Sequence, residues 1–167
     1  MDTPKQNPPH ICPRCYWDVG SKPDATPEED QRREYIRCLL GNNTYKKSYA
    51  LFDGQVNLSY RALNMAESSI MGKALRSLDA EDKESKAMEV LKLKLLFHLK
   101  QHNDTEYDSI TTTDLAELNQ LYDERFGGMS EDFVSVLIRT LMEFTKLVSL
   151  LADSGFDENF WKGAGLG

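Results

Sequence analysis

Cysteine, histidine and tryptophan are scarce in this chain: three, three and two copies in 167 residues. Three cysteines do not make the disulfide framework that staples small secreted domains. No apolar run reaches the roughly 20 residues needed to cross a bilayer. The first nine residues carry three prolines and no apolar stretch, so they do not read as a signal peptide. Positive charge is also short, with 20 Lys and Arg against 27 Asp and Glu and a net charge of −7. Nucleic-acid affinity is dominated by cations that neutralise phosphates, so this balance argues against nucleic acid as a partner. Neither nucleic acid nor membrane is expected to bind, and the chain is expected to start life in a cytoplasm. A phosphate-cradling Gly-rich loop, a Gly-x-Ser-x-Gly elbow and a His-Glu-x-x-His pair are all missing. No catalytic residues are assigned, and the chain is not expected to be an enzyme.

What is present suffices for one compact domain, since 40% of the residues are hydrophobic. The strongest β signal is Tyr45–Leu63. Asp53-Gly54 suits a two-residue type I′ turn, which fixes the register of a hairpin over about 45–61. Phe52 then faces Gln55, Leu51 faces Val56, Tyr49 faces Leu58 and Lys47 faces Tyr60. Strand alternation puts Tyr49, Leu51, Val56, Leu58 and Tyr60 on one apolar face. Ser48, Ala50, Gln55, Asn57, Ser59 and Arg61 fall on the other, with Phe52 the exception. A lone hairpin is marginal in water, so this face needs a partner.

Residues 1–25 read as an N-terminal arm: 1–9, extended by their prolines, either lie on a neighbouring subunit or are a disordered tail, and 18–25 are a polar linker. The arm contains Cys12-Pro13-Arg14-Cys15 followed by Tyr16 and Trp17. This is the shape of a zinc knuckle, in which a tight turn brings two thiolates onto one tetrahedral metal. A structural zinc takes four ligands, and the candidates for the rest are His10, Cys38, His98 and His102. His98 and His102 are four apart on an expected helix, so both point the same way. They also continue the Met88–Leu91–Leu95 stripe, which reads equally as a packing face. The alternative for Cys12 and Cys15 is that they simply pack. A redox role would require a βαβ setting, which is lacking.

The rest reads as helix. Thr26-Pro27 opens the first, with Glu29 completing a capping box, and Gly41 ends it. Arg32, Arg33 and Arg37 alternate with Glu28, Glu29, Asp30 and Glu34, which suits a solvated face. Asn64 with Glu67 caps a second helix to about Leu78. A third runs from about Asp82 to His102 and is apolar nearly all round. A polar loop over 103–113 precedes a short helix from Asp114 to Phe126, broken by Gly127-Gly128. A final helix spans about 131–153 and is ended by Gly155. The tail, 156–167, carries Phe156, Phe160 and Trp161, which either fold back or anchor a partner subunit. The expected class is α+β: mainly an α-helical bundle over 26–155, with one β-hairpin and an extended N-terminal arm.

Several segments together resemble small tail proteins of tailed bacteriophages, namely tail assembly chaperones and baseplate-hub assembly proteins. They are Arg33–Arg37 (Arg-Glu-Tyr-Ile-Arg), Leu39-Leu40-Gly41, the hairpin Lys47–Leu63 ending in Arg61-Ala62-Leu63, and Asn159-Phe160-Trp161-Lys162. The likeness covers the layout from Glu28 to Lys162. It implies a structural component of the phage tail or baseplate that acts through protein–protein contacts in virion assembly. Its partners would be other tail or baseplate proteins and its place the virion, assembled in the host cytoplasm. One alternative is an assembly chaperone that leaves before the virion matures. Another is a zinc-binding regulatory or nucleic-acid adaptor built on Cys12 and Cys15. The resemblance implies no catalytic residues.

Overall fold

The computed structural model describes residues 28–154, apart from residue 80. The N-terminal arm with Cys12 and Cys15, and the aromatic tail with Phe160 and Trp161, lie outside the described residues. The elements run α1 (Glu29–Leu40), β1 (Lys46–Leu51), β2 (Val56–Arg61), α2 (Met65–Arg76), α3 (Lys83–His98), β3 (Leu99–His102), β4 (Thr105–Glu106), α4 (Leu115–Phe126) and α5 (Glu131–Ser154). The class is α+β, with five helices and one sheet among the described residues.

Local chemistry sets most boundaries. At α1 the cap is Glu28 rather than Thr26, and the Gln31 side chain accepts from the Glu28 N–H at 3.2 Å. Gln31 stands at the capping-box spacing from Glu28, which moves the start two residues downstream. Gly41 closes this helix without a left-handed turn (φ −88°); Asn42 takes that conformation instead, at φ +56°. Asn64 accepts from the Glu67 N–H at 2.8 Å while Glu67 reaches back to the Asn64 N–H at 3.1 Å, the expected reciprocal cap of α2. Asp82 and Asp114 cap α3 and α4 through their carboxylates.

The hairpin has the expected register, with Leu51 opposite Val56, Tyr49 opposite Leu58 and Lys47 opposite Tyr60. Its connection differs. Phe52, Asp53 and Gly54 all adopt positive φ, and two overlapping turns close through Gly54 N–H to Leu51 O and Gln55 N–H to Phe52 O. The Asp53-Gly54 turn is thus present, closed by the Phe52–Gln55 bond, but Phe52 joins the left-handed run and leaves the strand, so four residues separate the paired strands rather than two. Both connections return the chain to the same register.

The larger correction concerns the third helix. It stops at His98, and Leu99–His102 extend as β3 against β2, with Leu58 opposite His102 and Tyr60 opposite Leu99. A bulge at Ser59/Tyr60 absorbs the change of register. Asn103, at φ +50°, turns the chain into β4, and Asn57 exchanges hydrogen bonds of 2.8 Å with its backbone N–H and side-chain oxygen. The sheet is thus four-stranded and antiparallel in the order β1-β2-β3-β4, not a lone hairpin. β2 gains a neighbour on each side, which is what a two-stranded unit lacks for independent stability.

One face of this sheet packs on the helices. Leu58, Tyr60 and Leu99 from the strands are fully buried with Phe97 of α3, Leu118 of α4 and Phe144 of α5. On α5 the buried residues Leu137, Leu141, Phe144 and Leu151 recur at helical spacing and form one stripe. The Tyr60 hydroxyl donates to the Leu137 carbonyl at 2.8 Å, so this buried phenol is satisfied. The Tyr49 hydroxyl is also buried but has no hydrogen-bond partner among the described residues. Its ring is still useful, standing edge-on to Tyr60 at 5.9 Å. Tyr49→Phe keeps the ring and removes the unsatisfied hydroxyl, so it should raise stability by about 1 kcal/mol. Urea denaturation of the two proteins measures this, and a loss of stability would show that the hydroxyl is satisfied in solution.

Candidate functional site

Ionic groups converge where β2 ends. Arg61 is the last residue of β2, Glu67 lies in the first turn of α2 and Lys100 stands on β3. Glu67 is fixed by its capping role, which aims its carboxylate back at the sheet. The Arg61 guanidinium donates to Glu67 Oε1 at 2.5 Å, and Lys100 Nζ stands 3.8 Å from the same oxygen. The Glu67 side chain is only 8% exposed and that of Lys100 12%. Burial acts to raise the Glu67 pKa, but the Asn64 N–H and the Arg61 and Lys100 charges outweigh it and hold the carboxyl below its usual range. Arg61 also donates to the Thr44 hydroxyl at 3.0 Å.

These groups border an open depression of about 460 Å³. Lys46, Arg61 and Lys100 supply its cations, and Gln101, Glu106, Tyr107 and Ser109 complete the lining. The far wall is the segment that follows β4. The Tyr107 N–H donates to the Lys100 carbonyl at 2.8 Å. Arg125 of α4 lies over the Tyr107 ring at 4.7 Å and donates to the Asp108 carbonyl at 3.2 Å. The depression is polar and framed by backbone bonding on both sides, which suits a hydrophilic ligand or a partner's polar side chains.

The candidate zinc ligands are not brought together as the helical spacing suggested. His98 ends α3, where its Nδ1–H donates to the Arg61 carbonyl at 2.9 Å. Burial, with the Lys100 and Lys94 charges, lowers its pKa against that hydrogen bond, so the ring is neutral near pH 7. His102 sits on β3 with its ring tilted against Phe133 at 5.4 Å. After His98 the chain rises about 3.3 Å per residue instead of about 1.5 Å, so the two rings are carried apart to different neighbours rather than stacked one helical turn above the other. Cys38 is a free, half-buried thiol on α1, with its pKa raised by burial and by Glu34. Among the described residues no group of three or more His, Cys, Asp and Glu side chains is placed to hold a metal. Cys12, Cys15 and His10 fall outside the described residues.

Sequence reasoning singled out Glu67 as a cap and set Arg61 on the open face of the hairpin, but it did not join them to Lys100. The only local signal was the Asn64-x-x-Glu67 box, which puts a carboxylate six residues past a strand end closed by an arginine. Also among the described residues, no helix is long and apolar enough to cross a membrane. Compared with models of known families, with curated proteins and with solved structures, the chain matches none.

Proposed function

We propose that the chain is a structural component of a bacteriophage tail or baseplate, working through protein–protein contacts during virion assembly. The observation that supports the contact reading is the edge of the sheet. Strand β1 has six residues, and its outer side carries no strand among the described residues. The Tyr45 carbonyl accepts from the Ala62 N–H at 2.8 Å, so ladder alternation turns the backbone groups of Lys46, Ser48 and Ala50 outward. Just upstream, at the end of α1, Leu39 and Leu40 are 50% and 68% exposed. An open edge and protruding leucines are surfaces that a neighbouring subunit covers. The tail assignment itself rests on the resemblance carried by Arg33–Leu63 and Asn159–Lys162. In this reading the protein is not an enzyme and resides in the virion.

The experiment is mass spectrometry of purified tailed particles from the source that encodes the chain, alongside the free protein. Stoichiometric protein in the particle is the expected result. Absence from the particle, with the free protein bound to a tail protein, would make it an assembly chaperone. Absence from both would end the tail reading.

A further inference from the structure

We propose that the depression bordered by Lys46, Arg61 and Lys100 is a binding site for a phosphate group, free or as an ester. The inference goes beyond the tail reading and does not depend on it. Its starting point is Lys100. The side chain is 12% exposed, yet its ammonium is 3.8 Å from Glu67 Oε1, beyond hydrogen-bond reach. That oxygen already accepts from Arg61 at 2.5 Å. No other described side chain pairs with Lys100. Glu67 can take at most one of the three Lys100 N–H groups, and Lys100 lines the depression, so donors remain for a further acceptor there.

The surroundings select an anion. Lys46, Arg61 and Lys100 stand against Glu67 and Glu106, a local excess of one positive charge in a chain whose net charge is −7, while Arg125 is met by Asp108 and Glu124. The overall acidity excludes a broad phosphate-binding face but not a confined one, because screening limits distant charges to about 10 Å at 0.1 M salt. Burial, and the Arg61 and Arg125 charges, press the Lys100 pKa down against the pull of Glu67, so a bound anion relieves a real cost.

The donor set favours phosphate over carboxylate. The guanidinium of Arg61 is already committed to the Glu67 carboxylate, to Thr44 and, at 3.5 Å, to the Ser109 oxygen, so the planar two-point grip that suits a second carboxylate is not free, while the Ser109 O–H can still donate. What remains are two ammonium groups and the Ser109 hydroxyl, which come from different elements and so approach from different sides. Point charges and a hydroxyl converging in this way match a tetrahedral group with several acceptor oxygens. Arg125, through the Asp108 carbonyl and the Tyr107 ring, holds the wall that carries Ser109. At about 460 Å³ the space exceeds a bare phosphate and falls within the range of small-ligand sites, roughly 300–1,000 Å³.

The test is a ¹H–¹⁵N chemical-shift titration of the full chain at pH 7 and constant ionic strength, first with inorganic phosphate and then with ribose 5-phosphate. Saturable shifts confined to the amides of Gln101, Tyr107 and Ser109 are expected. Lys46→Gln and Lys100→Gln should each weaken binding about tenfold, the loss of one charge-assisted contact. Lys46 is exposed, so its variant keeps the fold and the readout stands even if the Lys100 variant is destabilised. Tighter binding of the ester than of inorganic phosphate would assign the site to a larger phosphorylated ligand. Shifts that never saturate with either probe, or binding unchanged by Lys46→Gln and Lys100→Gln, would overturn the proposal.

Discussion

Phe144→Ala should cost about 3–5 kcal/mol, the largest loss from any single side chain considered. The ring is fully buried on α5 and lies between two strands and a helix end. Its centroid is 6.3 Å from Tyr45 and 5.8 Å from Tyr60, both stacked, and 6.2 Å from the His98 ring at a steep angle. Truncation therefore removes transfer energy, opens a cavity and deletes three ring contacts at once. The neighbours cannot close the gap easily, because Tyr60 is tethered to Leu137 and His98 to Arg61. Against a total stability of about 5–15 kcal/mol for a domain, this loss leaves the protein marginal. Urea denaturation checks the value, with Met142→Ala as a control. Met142 is 53% exposed on the same helix and should cost under about 0.5 kcal/mol. Equal effects at the two positions would mean that the aromatic cluster is not the centre of the core.

Glu67→Gln should cost about 2–3 kcal/mol and flatten the acid limb of the stability curve. Glutamine keeps the size and the cap to Asn64 but removes the one carboxylate between Arg61 and Lys100. Breaking a buried pair costs about 3–5 kcal/mol, and the 24% exposure of Arg61 puts this case below that range. The pH dependence follows from the direction of the shift. The folded pKa of Glu67 lies below the ordinary 4.5, so its contribution is complete above about pH 4.5 and fades as pH falls through the folded value. His98 acts higher up. Its folded pKa also lies below the ordinary 6.5, so the folded state loses ground as pH drops from there, when the unfolded chain takes the proton more readily. The stability of the parent protein should begin to fall near pH 6.5 and fall more steeply below about 4.5. In Glu67→Gln the first part should persist and the Glu67 part of the second should vanish. Identical curves for the two proteins would show that Glu67 is not held as a carboxylate by its neighbours.

The elements that could be read from the chain are those whose cause is local. Asp53-Gly54 fixed the hairpin register because a tight reversal permits few alternatives, even though Phe52 joins the left-handed turn. Asn64 with Glu67, Asp82 and Asp114 marked helix starts through their own side chains. Leu99–His102 resisted the same treatment. Four residues following an apolar helix show no period of their own, and what makes them a strand is β2, whose residues lie some forty positions earlier. Propensity yields there to pairing partners that no window contains. The charged site failed for the same reason. Arg61 and Glu67 are close in sequence, but Lys100 reaches them only because the chain leaves α3 as a strand. With Lys100 expected on a helix, nothing in the spacing could place its ammonium beside Glu67.

That arrangement also sets an order of events during synthesis. β1 and β2 can pair as soon as Arg61 is made, whereas the other side of β2 waits for Leu99. At translation rates of about 5–20 residues per second, the intervening residues 62–98 take roughly 2–7 seconds to appear. Throughout that interval the future centre of the sheet is an edge, with its apolar residues uncovered, because α5 has not yet been made. The nascent chain is therefore most open to wrong strand pairing in that interval, when α2 and then α3 are the newly made elements that can shield it.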